Sequence, residues 1–192
     1  MRIQYILSVV LLAVFVLMVL IRAVSLRRHG VRAIVFGQTD KRDFLLVPIV
    51  LAIIYTALSN TFDLPIWSVL VQPFWGSPIP GWFGVALCLV SCVCFFLTLI
   101  GFGDSFRVGI DERKPGRLVT GGMFAISRNP IYVCFLLFFI GLYLIHHNIV
   151  IFIAVIIFAL AIHRQVLREE VFLKQHYGVE YEEYCERVRR YF

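Results

Sequence analysis

Hydrophobic residues in this chain come in long blocks, separated by three stretches that hold nearly all of the charge. Residues 3–21 have no charged side chain and are long enough to cross a hydrocarbon core, which takes about 20 helical residues. That run exceeds the usual signal-peptide core of about 7–15 residues and basic residues follow it at once, so it reads as a retained span. A second apolar run covers 44–62, with Pro48 near its start, where a helix tolerates proline best. A third covers 81–102. Two shorter runs, 130–145 and 149–162, flank His146, His147 and Asn148 and predict a hairpin. At a rise of about 1.5 Å per residue its legs are roughly 24 and 21 Å long, short of a core of about 30 Å. Either the turn sits shallow in the far leaflet or the helices outrun their apolar stretches.

Between the blocks lie residues 22–43 (Arg22, Arg27, Arg28, Arg32, Lys41, Arg42) and 104–129 (Arg107, Arg113, Lys114, Arg117, Arg128). From His163 onward the chain is polar with helical periodicity. Tyr181, Tyr184, Cys185 and Val188 form one apolar stripe, while Glu182, Glu183, Glu186, Arg187 and Arg190 face elsewhere. Such a helix lies along the membrane surface or packs beneath the bundle. Every Lys and Arg except Arg2 falls in these three stretches, so the positive-inside rule makes them cytoplasmic and puts the N-terminus and the His146 turn on the other side. Residues 60–80 have no Lys or Arg but hold Pro65, Pro73, Gly76, Pro78, Pro80, Trp67 and Trp75, which suits a segment at headgroup depth.

The expected fold is therefore all-α: a polytopic membrane bundle of about five transmembrane helices, with a short hairpin from spans four and five and a C-terminal cytoplasmic amphipathic helix. Residues 1–79 form a two-span N-terminal segment with a basic loop, and 80–192 form the core, the two together making one structural domain. Composition agrees. The 192 residues are 60% hydrophobic and 16% charged, with a mean hydropathy of +0.88, outside the range of soluble domains. The net charge of +6 then reads as topology signal and headgroup contact rather than nucleic-acid binding. Cys88, Cys92, Cys94, Cys134 and Cys185 show no matched pairs or spaced His, so they read as packing residues and not as a disulfide framework or a zinc site. No metal is expected. A prokaryotic inner membrane is the simplest setting.

Candidate chemistry collects on the cytoplasmic face: Arg107, Gly109, the approach 118–122, Arg128, Asn129, Tyr132, Arg164, Glu169 and Glu170. Gly121 and Gly122 let backbone come close to a ligand. Pro130 suits the first turn of a helix and pushes the residue before it out of the α region. Arg128 and Asn129 then lie at a helix N-terminus, where N–H groups and the helix dipole favour an anion or simply begin a helix. Glu169 and Glu170 sit at a depth where ionisable groups are costly and often functional, although Glu170 is also placed to pair with Lys174 at i, i+4. His146 and His147 read as an interfacial cap.

The segments Leu118-Val119-Thr120-Gly121-Gly122-Met123-Phe124 and Arg128-Asn129-Pro130-Ile131-Tyr132 resemble the Leu-Val-x-x-Gly-x-Tyr and Arg-His-Pro-x-Tyr pattern of the isoprenylcysteine carboxyl methyltransferases and their phospholipid methyltransferase relatives. Glu169-Glu170-Val171-Phe172-Leu173, followed by Tyr177-Gly178 and the tyrosines 181 and 184, is similar to that family's ending. The resemblance covers roughly residues 80–192. It implies S-adenosylmethionine bound between the loop before the hairpin and the helix after it, with Gly116, Arg117, Leu118, Val119, Phe124, Asn129, Pro130, Ile131, Tyr132 and Glu169 as cofactor contacts. It also implies methyl transfer to a lipophilic acceptor, with Glu169, Glu170, Arg128 and Arg164 as candidate catalytic groups. Asn129 stands where the family has His, Cys134 where it has Gly, and Gln165 where the prenylcysteine enzymes have Arg. Two other readings compete: an NADPH-dependent membrane reductase of the sterol-reductase type, and a non-enzymatic scaffold with the same fold.

Overall fold

The computed structural model describes residues 2–28, 46–102 and 118–192. Its helices are α1 (Arg2–Arg28), α2 (Leu46–Phe62), α3 (Ile79–Phe102), α4 (Pro130–His146), α5 (Ile149–Tyr177) and α6 (Val179–Arg187), and no strand occurs among the described residues. The chain is a helical membrane bundle, as expected. Helices α1, α3 and α5 are long and apolar enough to cross a membrane, and α2 and α4, at 17 residues each, are shorter apolar partners. Leu17, Ile21, Phe83, Phe96, Ile157 and Leu160 are among many large apolar side chains left exposed on the long helices, which suits a lipid-facing wall.

Packing between α3 and α4 is the tightest in the bundle, and small residues permit it. A Cβ on Gly84 would lie 2.5 Å from the Gly141 carbonyl oxygen, and one on Gly141 would lie 2.5 Å from the Cys88 Sγ. One turn on, the Cys88 thiol donates to the Phe138 carbonyl at 3.4 Å, and Ser91 Oγ donates to the Cys134 carbonyl at 2.6 Å. Residues 84, 88 and 91 repeat on one helix face, the small-residue seam by which membrane helices approach without a hydrophobic drive between them. Cys134, where the family pattern has Gly, is buried and its backbone still takes the Ser91 bond. Deeper in the core, Phe15 of α1 stacks on Phe95 and Phe138, with centroids 4.7 and 4.4 Å away. All five cysteines are free.

At one end of the bundle, α1 and α3 begin and α2 and α4 finish. Gln4 Nε2 donates to the Pro78 carbonyl at 2.8 Å. Ser8 Oγ donates to the Tyr5 carbonyl at 2.7 Å and sits 2.9 Å from His146 Nε2, so it accepts from an Nε2–H imidazole. The other ring nitrogen, Nδ1, then accepts from Asn60 Nδ2 at 3.3 Å, and Tyr5 stacks on the ring at 4.9 Å. Both histidines of the expected cap are buried, and for His146 the partners come from α1 and α2, far away in sequence. His147 stacks on Trp75 at 4.6 Å, and burial lowers its pKa. Of the two tryptophans expected at headgroup depth, Trp67 is 81% exposed, whereas Trp75 packs inward on His147. Asn148 caps α5, its side chain accepting from Ile151 N at 3.0 Å.

The opposite end is built by a helix that outruns its apolar stretch. Helix α5 continues unbroken for 29 residues, about 43 Å, so residues 163–177 prolong the fifth span. Gly178, at φ 55°, turns the chain into α6 in a backbone conformation that L side chains rarely adopt. The α6 stripe then packs beneath the bundle: Tyr181, Tyr184 and Val188 are buried against Leu118, Leu173, Tyr177 and Cys185.

Candidate functional site

Pro130 occupies the first turn of α4, and Asn129 before it has φ −128° and ψ 51°, outside the helix and with no capping bond from its side chain. Upstream, the 3-10 turn Gly122–Ala125 starts at Gly122, whose φ of 62° again favours glycine. Phe124 in that turn is buried, and its carbonyl accepts the Tyr184 hydroxyl at 2.6 Å. Burial pushes the Tyr184 phenol up to about 12, so it stays a donor at neutral pH.

Across from α4, the polar part of α5 presents two carboxylates in different surroundings. Glu169 Oε1 accepts the Tyr132 hydroxyl at 2.6 Å and Gln165 Nε2 at 2.8 Å. Arg168 donates to Gln165 Oε1 at 2.5 Å, which fixes the amide's orientation and carries a positive charge to within one residue of Glu169. Glu170 lies between two guanidiniums. Arg190 grips it with Nε at 3.0 Å from both oxygens and a terminal nitrogen 2.7 Å from Oε2, and Arg128 reaches Oε1 at 3.3 Å. These bonds to Glu170 raise the Arg190 pKa further above its usual value. Arg128 also donates to the Cys185 sulfur. The i, i+4 pair with Lys174 does not form; Lys174 bridges instead to Glu182 of α6 at 2.8 Å.

Arg128, Asn129, Tyr132, Glu169 and Glu170, singled out in sequence, are therefore brought together within one cluster. Ile131 and Tyr132 belong to the bundle core, and Pro130 is buried beside them. Leu118 and Val119 are half-buried, Leu118 within the α6 cluster. Arg164 is exposed on α5. Arg107, Gly109, Gly116 and Arg117 lie outside the described residues. Sequence reasoning missed Arg168, Ser127 and the tail beyond α6. Of these only Arg168 had a local signal, its i, i+3 spacing from Gln165. Among the described residues no group of three or more His, Cys, Asp and Glu converges as a metal site.

Among the described residues, apolar helices α1 to α5 with an ionic cluster gathered at one end of the α4–α5 hairpin define an integral membrane protein. Residues 79–180 match the phospholipid methyltransferase family, and the chain belongs to it, which makes it a membrane methyltransferase by family. Among curated proteins it is similar to protein-S-isoprenylcysteine O-methyltransferase A and B of Arabidopsis thaliana, each 29% identical over 144 residues, 72% of this chain and 70% of the relative. It is also similar to a probable protein-S-isoprenylcysteine O-methyltransferase of Oryza sativa subsp. indica, 29% identical over 111 residues, 55% of this chain and 56% of the relative. The matched stretch contains the α3–α4 seam, the Asn129 N-terminus and both carboxylates.

Proposed function

We propose that this protein transfers a methyl group from S-adenosylmethionine to a lipophilic acceptor, at the end of the bundle that holds Glu169. The observation that carries the reading is the Tyr132–Glu169 bond, 2.6 Å long, which ties the start of α4 to the polar half of α5 inside the family-matched stretch. A zwitterionic donor with a sulfonium needs an acceptor for its ammonium, donors for its carboxylate and a negative charge nearby. The residues present fit it. The first turn of α4, opened by Pro130, has the N–H groups and dipole that favour a carboxylate. Glu169 supplies an oriented carboxylate for the cationic part, and Asn129 an amide beside it. Gly116, Arg117, Leu118, Val119 and Phe124 complete the proposed contact set.

S-adenosylmethionine, when bound, supplies an electrophilic methyl group that needs no activation by the protein. The protein's task is then alignment and exclusion of water. The core ring cluster of α1, α3 and α4 keeps water from the apolar side, and the membrane delivers the acceptor laterally. A carboxylate acceptor, as the names of the Arabidopsis relatives suggest, needs no base. A thiol or amine must lose a proton, and Glu169 is the group placed to hold it, on a carboxylate oxygen. Glu170 is less suited to that task because both of its oxygens already face Arg190. The charge distribution supports a cytoplasmic face for this end.

The test is calorimetric binding of S-adenosylmethionine to detergent-purified protein, with Glu169→Ala and Asn129→Ala beside it and NADPH as the competing ligand. Saturable binding that both substitutions weaken supports the reading and leads to labelled-methyl transfer onto isoprenylcysteine, phospholipid and thiol acceptors. Binding of NADPH alone by a folded sample sinks it in favour of a reductase.

A further inference from the structure

The last residues of the chain, beyond both α6 and the family-matched stretch, run back across the start of α4. The Arg189 carbonyl accepts from Arg128 N at 3.0 Å. The Arg190 carbonyl accepts twice, from Ser127 Oγ at 3.2 Å and from Asn129 Nδ2 at 3.2 Å. Ser127 Oγ in turn accepts from Asn129 N at 3.2 Å, so the hydroxyl relays between the strap and the N-cap. The next residue, Tyr191, places its hydroxyl 2.8 Å from His163 Nδ1 on α5. One residue, Arg190, thus touches both halves of the candidate site. Its guanidinium is forked onto Glu170 of α5, and its carbonyl holds the N-cap of α4.

A carbonyl oxygen only accepts, so the atom of the Asn129 amide that meets it is Nδ2. That choice sets the amide's orientation and turns Oδ1 away from the strap carbonyl. Without the strap, the amide is free to rotate and to present either atom. Beside these backbone and tail contacts, the Arg190 side chain adds a two-pronged grip on a carboxylate that Arg128 also braces, a planar geometry that a lysine does not reproduce.

We propose that Arg190 is a positioning residue for the methyl-donor site: its fork on Glu170 fixes the C-terminal strap, and the strap's carbonyl fixes the Asn129 amide with Oδ1 toward the ligand. The inference rests on the reading of Asn129 as a contact for S-adenosylmethionine. It assigns Glu170 the role of anchor for the strap.

The experiment is calorimetry of S-adenosylmethionine on full-length protein in detergent, with Arg190→Ala, Arg190→Lys, Asn129→Ala and the double variant Arg190→Ala/Asn129→Ala. Arg190→Ala is expected to weaken binding about tenfold, the scale of one lost oriented hydrogen bond. Arg190→Lys, which keeps charge without the fork, should recover only part of it. In the Asn129→Ala background, Arg190→Ala should cost nothing further, because its effect passes through that amide. A purely structural role would weaken the double variant beyond either single one, and that result overturns the proposal. Unchanged affinity in Arg190→Ala, with Asn129→Ala weakened, overturns it while leaving the function reading intact. If wild type does not bind the donor, both fall. Should Arg190→Ala not fold, Arg190→Lys is read in the same two backgrounds against the same criteria.

Discussion

The two ends of this bundle are both polar, yet they are polar in opposite ways. At the His146 end, Gln4, Ser8, His146, His147 and Asn148 are buried and neutral, and the hydrogen bonds join α1 and α2 to α4 and α1 to the residue just before α3. At the Glu169 end the groups are charged and only partly covered, with Glu170 and Arg128 each 13% exposed at the side chain and Arg190 38% exposed. A buried neutral network lowers its own desolvation cost by internal pairing and leaves little for a ligand to gain. A half-covered ionic cluster keeps a field directed at whatever enters. The lesson is that polarity within a membrane bundle is not itself a mark of function. The histidines, the more conspicuous residues by chemistry, tie the helices together at one end, and at the other Glu169 is held by Tyr132 and Gln165 while Glu170 is held between two arginines.

Three measurements would break or sharpen that contrast. The largest effect is expected at the charged end: Glu169→Gln should lower methyl transfer by about 100-fold while the melting midpoint stays near that of wild type, since Gln retains the shape and a carbonyl acceptor for Tyr132. Rate assays with labelled donor, paired with thermal melts, decide it; a fall in melting midpoint matching the fall in rate would erase the distinction between the ends.

The converse substitution, His146→Ala, removes a stacked ring and leaves Asn60 without its partner there. It should destabilise the protein by about 1–2 kcal/mol, given the modest worth of hydrogen bonds between membrane helices. Donor affinity in the folded fraction should not change. A large affinity loss in well-folded His146→Ala would show that the two ends are coupled.

The smallest effect concerns pH. Burial lowers the His147 pKa below the ordinary histidine value of about 6.5, so the unfolded chain binds a proton there that the folded one resists. Stability is then unaffected above the unfolded value and falls as pH drops below about 6.5, by at most about 1.4 kcal/mol per pH unit for one proton. Melts between pH 7.5 and 5.5 (conditions chosen at roughly one unit either side) should show this slope reduced in His147→Gln. An unchanged slope would assign it to other groups.

Much of the architecture was legible in the order of the residues. Apolar blocks at 44–62, 81–102 and 130–145 appear as α2, α3 and α4 with ends shifted by at most a few residues. The α6 stripe at 181, 184 and 188 is buried as its period requires. The far end of α5 was not legible, because the switch to polar residues at His163 marks where the helix leaves apolar surroundings and says nothing of where its hydrogen-bond ladder stops. The motif residues of the candidate site stood out by type and spacing. Their partners did not, since Arg128 and Cys185 are 57 residues apart and Ser8 and His146 are 138 apart.

Taken alone, the sequence determines an apolar helical bundle with its charge gathered in a few stretches between and after the apolar blocks, because transfer free energy and helix period act on each segment locally. It also marks the methyltransferase-like motifs. Which carboxylate meets Tyr132 and which is locked between arginines was decided by the tertiary structure alone, as was the burial of the histidines and the return of the tail onto Asn129. Those outcomes depend on the direction each side chain takes once α3 and α4 have closed on their glycine seam and α6 has folded under α5. Hydrogen bonds form within about 3 Å, and no local pattern in a chain encodes a distance that short between residues so far apart.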